Sequence, residues 1–375
     1  MKLMTITPSI IIALTITMMS FKVSAQEPRR RARAEGITIG TLPIPPLNAI
    51  TDVSGVRVGH ATLHKGTRFH TGVTAIWPHE GNPYLSRVPA AVVVGNGYGK
   101  LIGALQVTEL GELETPLLLT GTLNVWRAAD AMVSWMLKQK GMNSVRSINP
   151  VVGETNDGRL SDIRARPIGE KHVAQALESA LSGPVTEGAV GAGAGCVCFG
   201  FKGGIGTSSR YTSKKADGRW TVGALVQSNF GGDLTIDGAP VGRLLKQKSP
   251  ESGDGSCMVI IATDAPIGSR NLRRLAKRAL LGLARTGSVM SNGSGDFVIA
   301  FSTHPSQRRQ AEARRHEGRI DLGNQAMTQL FQAAVESVEE AVLNSLFMAT
   351  TTTGPSGTVK ELPIRRALEL MKKHR

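Results

Sequence analysis

Cysteine, aromatic residues and acidic side chains are all scarce in this chain of 375 residues. Its three cysteines, Cys196, Cys198 and Cys257, are an odd number and define no disulfide framework. Cys196-Val197-Cys198 also lacks the four-ligand spacing of a structural zinc site, so these residues read as buried, inert thiols. Aromatics make up only 4% of the chain, which argues against a stacking surface for single-stranded nucleic acid. Asp and Glu number 29 against 44 Lys and Arg, a formal net charge of +15. That excess governs solubility and attraction to anions rather than chemistry. Beyond the N-terminus no stretch is long and apolar enough to span a bilayer.

What is present is ample material for a core: 41% hydrophobic residues, with 43 glycines and 18 prolines to punctuate them. Residues 1–25 read as a secretory signal. Lys2 is the positive start, Ile10 to Met19 the apolar stretch, and Val23-Ser24-Ala25 a small-residue cleavage site before Gln26. An uncleaved anchor is the alternative, although the apolar run is shorter than the roughly 20 residues of a spanning helix. The expectation is a secreted or periplasmic protein, free of the membrane once the signal is removed.

Residues 26–47, with Arg29-Arg30-Arg31-Ala32-Arg33 and Leu42-Pro43-Ile44-Pro45-Pro46, predict an extended surface arm. Strands are expected in the Val-rich run 88–94, over 220–229, in the very apolar run 257–263 and over 297–301. Helical spacing marks 124–138, 172–181, the stripe Leu272, Leu275, Ala276, Ala279, Leu280 and Leu283 with Ser269 as its cap, an amphipathic helix over 326–347, and a basic terminal one over 363–373. Strands and helices interleave without a fixed repeat, which gives an α/β or α+β class.

Most chemical candidates fail. Gly95-Asn96-Gly97-Tyr98-Gly99-Lys100 and Gly200-Phe201-Lys202-Gly203-Gly204-Ile205-Gly206 fit neither a P-loop nor a dinucleotide fingerprint and read as tight-turn glycines. His60, His64 and His70 lie in strand-like sequence and read as exposed rather than metal-binding. No nucleophile elbow accompanies a Ser/His/Asp set. One junction remains: Gly255-Ser256, between the polar stretch 247–255 and the apolar run that follows. If the chain opened there, Ser256 would carry a hydroxyl beside its own free amine, whose pKa of ~7.7–8.0 suits it as a base without any histidine.

Four stretches then converge. Residues 48–60 (Asn-Ala-Ile-Thr-Asp-Val-Ser-Gly-Val-Arg-Val-Gly-His), 150–158 (Pro-Val-Val-Gly-Glu-Thr-Asn-Asp-Gly), 200–210 and Gly253-Asp254-Gly255-Ser256 together resemble the DmpA-type serine aminopeptidases, from about residue 48 to 363. That group includes D-amino-acid esterase/amidases and β-peptidyl aminopeptidases. The resemblance implies an αββα sandwich of the N-terminal-nucleophile type over 48–375, self-cleaved into fragments 26–255 and 256–375 that stay together, usually as a homotetramer of such pairs. It implies Ser256 as nucleophile and Asn229 as oxyanion donor. Ser294 would hydrogen-bond Ser256, with Asp296 orienting the network, and Glu154 would bind the substrate ammonium. Neither metal nor organic cofactor is implied, and substrates would be short peptides, amides or esters with a free amino group.

Two departures accompany the resemblance: Asp296 stands where many relatives have glutamate, and Gly121 where they have asparagine. The latter is expected to reshape the pocket. An ornithine-acetyltransferase-like acyl transferase is the nearest enzyme alternative, disfavoured by a serine at position 256. A basic exported binding protein for anionic polymers is the alternative of another class, supported by pairs such as Arg308-Arg309 and Arg314-Arg315.

Overall fold

The computed structural model describes residues 28–213, 218–247, 255–315 and 318–374. The expected signal segment and residues 248–254 of the polar stretch lie outside them. The chain first forms a hairpin of β1 (Arg57–Lys65) and β2 (Phe69–Trp77), then β3 (Ser86–Gly97), β4 (Leu101–Ile102), α1 (Ala104–Leu110), β5 (Glu112–Leu113) and β6 (Leu117–Gly121). Next come α2 (Val125–Leu137), β7 (Val151–Thr155) and α3 (Glu170–Glu178), with the short β8 (Val197–Cys198) and β9 (Phe201–Lys202). Strands β10 (Gly204–Tyr211) and β11 (Thr221–Asn229), the single turn α4 (Val241–Leu244), β12 (Gly255–Thr263), α5 (Ser269–Arg285) and β13 (Ser294–Ser302) follow. The chain closes with β14 (Arg309–Gln310), α6 (Met327–Phe347), β15 (Thr352–Gly354), β16 (Gly357–Val359) and α7 (Ile364–His374).

One sheet runs β1-β2-β6-β7-β4, and the other β10-β11-β12-β13-β3-β14 with β5 beside β3. Pairing is antiparallel except between β6 and β7 and between β12 and β13. Side-chain alternation on β12 explains why its sequence is apolar throughout. Cys257, Val259 and Ile261 enter the core under α5 and α6, whereas Met258, Ile260 and Ala262 enter the core between the sheets. A third core joins the smaller sheet to α2 and α3. Helices, sheet, sheet and helices therefore stack as the αββα sandwich that the family resemblance implies.

Three local expectations need correction. Ser269 is the first residue of α5 rather than its cap, and Gly268 takes the cap position without any side-chain bond. The α6 helix is not amphipathic: from Ala333 to Phe347 every residue is buried. Its periodicity was blurred because α5, the β10–β11 face and the N-terminal segment each cover one side. That N-terminal segment is also not a surface arm, since Ala32, Ile37 and Ile39 are buried.

Buried charge holds this segment in place. Glu336 accepts the backbone N–H groups of Thr41 and Leu42 at 3.0 and 3.1 Å. The backbone passes so near at Gly40, with φ +70°, that a Cβ there would fall 2.0 Å from the Glu336 carboxyl carbon. Arg210, fully buried, reaches Glu336 at 3.1 Å and Glu340 at 2.5 Å, and Arg33 adds a second cation to Glu340 at 2.7 Å. Burial alone would raise the Glu340 pKa, but Arg33 and Arg210 hold it below the ordinary glutamate range. The stability this adds is present above that range and lost as pH falls through the lowered value. Replacing Arg210 strands buried carboxylates, which typically costs about 3–5 kcal/mol. Arg210→Met is therefore expected to lower the urea midpoint markedly at pH 7, and the loss should shrink in acid where Glu340 is protonated.

Candidate active site

Because β12 and β13 are parallel, both begin at the same end of the sandwich, where the antiparallel neighbours β11 and β3 finish. In the facing sheet β7 also finishes there, and it passes β12 closely: a Cβ on Gly153 would fall 2.4 Å from Met258 Cε. These strand ends surround a cavity of about 480 Å³ whose wall includes Ser256, Asn229 and Glu154. Ser256 stands in register with Asn229 on one side and Gly295 on the other.

The buried Ser256 hydroxyl donates to the carbonyl oxygen of Gly255, 2.5 Å away, and accepts the Gly295 N–H at 3.3 Å. Asn229 accepts the Val197 N–H through Oδ1 at 2.8 Å, so its Nδ2 is the face of the amide left for the cavity. Glu154 is buried and receives the Lys100 N–H at 2.8 Å, with the Lys100 ammonium at 3.7 Å. A buried carboxylate at a cavity wall is a ready site for a ligand cation.

Ser294 and Asp296 do not join this group directly. They flank Gly295 on β13, so strand alternation turns both toward the helical layer, away from Ser256. A Cβ on Gly95 would meet Met290, Leu280 of α5 and Asp296 together, which locates the acid on that side. Neither side chain makes a well-formed hydrogen bond among the described residues. Burial pushes Asp296 up to about 6, while the nearby Ser294 hydroxyl and the Cys257 backbone pull in the opposite direction. The hydrogen bond expected from Ser294 to Ser256 is thus not formed in the unbroken chain, and the Gly295 backbone takes that place.

Several contributors were missed in the sequence. Gly95 and Gly97 are strand residues, not turns, and Gly99 lets the chain pass where a Cβ would sit 2.9 Å from Phe297 and 3.0 Å from Gly295. This close passage brings Tyr98 and Lys100 to the cavity. In the second glycine-rich word, Gly200 has a positive φ and lines the cavity, and Gly203 and Gly204 pack against backbone. Lys202 is buried there and donates to the carbonyls of Gly193 and Gly203 at 3.0 and 2.6 Å; burial lowers its pKa to about 8. Thr122, also on the cavity wall, has a buried hydroxyl with no hydrogen-bond partner among the described residues, a group disposed toward a ligand. No spacing rule would have singled it out.

The histidines also differ from expectation. His60 is half-buried with its pKa lowered to about 4 by burial, and it bonds Thr74. His70 is buried and meets the exposed His64 at 2.9 Å. The three thiols are buried and unpaired, and burial pushes Cys198 up to about 12.

Gly121 has a specific partner. A Cβ at that position would fall 2.4 Å from Oδ2 of Asp157, a buried carboxylate raised by burial to about 6. Gly121→Ala is expected to destabilise by about 1–3 kcal/mol through overpacking, and Asp157→Ala should relieve most of that in a double-mutant cycle read by denaturation. The raised Asp157 pKa means that the native state binds more protons than the unfolded one between about pH 4 and 6, so stability falls as pH rises across that window. Asp157→Asn should flatten this fall in melting temperature.

A serine heads a central strand of the αββα sandwich and shares one cavity with a buried carboxylate, and the family and solved relatives that match this chain make it a hydrolase of the N-terminal-nucleophile fold class. The model of "Peptidase family S58" matches residues 48–360, and the chain belongs to that family of aminopeptidases. It is 39% identical to the β-peptidyl aminopeptidase BapA of Sphingosinicella microcystinivorans, covering 94% of each chain. Among solved structures, the PH0078 protein of Pyrococcus horikoshii OT3 is similar at TM-score 0.87 and 44% identity, over 92% of this chain and 99% of that one. The L-aminopeptidase D-Ala-esterase/amidase of Ochrobactrum anthropi, described as a prototype serine aminopeptidase and a variant of the Ntn hydrolase fold, is similar at TM-score 0.85 and 36% identity, over 92% and 98%.

Proposed function

We propose that this hydrolase is a serine aminopeptidase that first cuts its own chain between Gly255 and Ser256. The observation that carries this reading is the Ser256 hydroxyl, 2.5 Å from the carbonyl oxygen of the bond it would open, in the same cavity as Glu154. Oγ attacks the Gly255 carbonyl carbon, the Gly255–Ser256 amide becomes an ester, and water hydrolyses it. The products are a Gly255 carboxylate and a free Ser256 amine. The sheet arrangement supports a stable product, because β12 and β13 from the new C-terminal fragment lie between β11 and β3 from the other.

In the mature form the Ser256 amine takes the hydroxyl proton as Oγ attacks the substrate carbonyl after its first residue. Asn229 Nδ2 stabilises the oxyanion, the leaving amine receives the proton, and water releases the acyl group. Ser294 and Asp296 support the nucleophile from the far side of β13, and Glu154 holds the substrate ammonium. Substrates are short peptides, amides or esters with a free amino terminus. The BapA relatives add peptides with an N-terminal β-residue to the L- and D-forms to be assayed. The same reading includes export directed by residues 1–25 to the periplasm or outside the cell, and a homo-oligomer of fragment pairs.

Mass analysis of the purified protein should find two fragments, the second beginning at Ser256, and one intact chain without activity for Ser256→Ala. An intact but fully active wild-type chain would overturn the reading. Asn229→Ala in the processed enzyme should lower kcat about 10²–10³-fold with little change in KM.

A further inference from the structure

Three charged side chains lie on the cavity wall: Lys100, Glu154 and Arg159. Lys100 and Glu154 answer one another, through the backbone N–H at 2.8 Å and the ammonium at 3.7 Å. Arg159 has no such counterpart, because its exposed side chain makes no ion pair or hydrogen bond with any described residue. Its backbone, in contrast, is firmly placed. Leu160 and Ser161 close a turn onto the Asp157 carbonyl at 3.1 and 3.0 Å, and the Ser356 N–H bonds the Arg159 carbonyl at 3.3 Å. The β15–β16 hairpin presses so closely here that a Cβ on Gly354 would fall 2.4 Å from Leu160 Cα. The guanidinium is thus carried to the cavity edge by rigid main chain.

Charge balance decides what could meet it. When a substrate ammonium takes Glu154, the Lys100 ammonium loses its partner, and Lys100 and Arg159 then face the cavity with no acidic side chain of the lining left to answer them, the Gly255 carboxylate of the proposed self-cleavage being the one other acid there. A substrate with only an ammonium adds to that positive charge, whereas one that also carries a carboxylate supplies an anion to answer one of the two cations. A guanidinium presents a planar pair of donors suited to that group. We propose that Arg159, assisted by Lys100, selects substrates with a carboxylate on the leaving side, so that free dipeptides and similarly short peptides are preferred to matching amides. The inference rests on the aminopeptidase reading above and names the substrate class of the same site.

The test compares kcat/KM for alanyl-alanine and alanyl-alaninamide, in L-, D- and β-alanyl forms, on the processed enzyme. Wild type should favour the free acid by roughly tenfold, mainly through KM, as one charge-assisted contact would give. Arg159→Gln should bring the acid-to-amide ratio near one, Arg159→Lys should keep part of it, and Arg159→Glu should invert it. Raising the salt from about 0.05 to about 0.5 M should narrow the wild-type ratio, because the site is open to screening. Arg159 is exposed, so melting temperatures should stay close to wild type. A ratio unmoved by Arg159→Gln and by salt, in an enzyme that cleaves both substrates, overturns the proposal and leaves the aminopeptidase intact. Failure of the wild type to cleave any amino-terminal substrate overturns the reading beneath it, and the proposal with it.

Discussion

The register of β12 between β11 and β13 is the constraint on which the rest of the molecule depends. A buried central strand must satisfy its backbone groups on both edges, so its start cannot drift without unpairing amides in an apolar layer. With β13 parallel and β11 antiparallel, that register sets Ser256 beside Gly295 and Asn229 at one end of the sandwich. A slip by one residue would turn Ser256 into the helical core and Cys257 into the cavity. The apolar sequence of β12 is therefore as much a part of the site as the serine it delivers.

Two further devices hold the walls of that site. Glycines at 99 and 153 bring the β3–β4 connection and β7 close enough for Lys100 and Glu154 to reach one cavity with Ser256. On the far side of the larger sheet, Arg210, Arg33, Glu336 and Glu340 tie the N-terminal segment and β10 to α6. These ion pairs link chain on opposite sides of the Gly255–Ser256 bond. Together with the interleaved strands, they would oppose separation of the two fragments that the proposed self-cleavage produces.

The chemistry of the cavity follows from where charge is buried. Glu154 is shielded and held by a backbone donor, which suits it to a cation, whereas Ser294 and Asp296 turn from β13 toward the helical layer with the acid raised by burial. A strand-end serine and the amide of Asn229 open on the same cavity, which is where the proposed function places its nucleophile and its oxyanion donor. In the proposed reaction, a terminal ammonium held by Glu154 is what would set the first peptide bond, rather than an interior one, before the hydroxyl.

Short-range pattern was enough for much of this. The continuous apolar run 257–263 and the stripe along α5 declared strand and helix because each reports burial along one element, and the polar-to-apolar step at Gly255-Ser256 marked the head of the critical strand. Tertiary structure alone decided which glycines are turns and which are contacts, as with Gly95 and Gly99. It also turned the polar residues of α6 onto arginines, seated the N-terminal segment, matched Gly121 to Asp157, and carried Lys100, Thr122 and Arg159 to the cavity. The physical reason is distance along the chain. Arg210 and Glu340 are 130 residues apart, and Arg33 and Glu340 are 307, so no local pattern records that they meet.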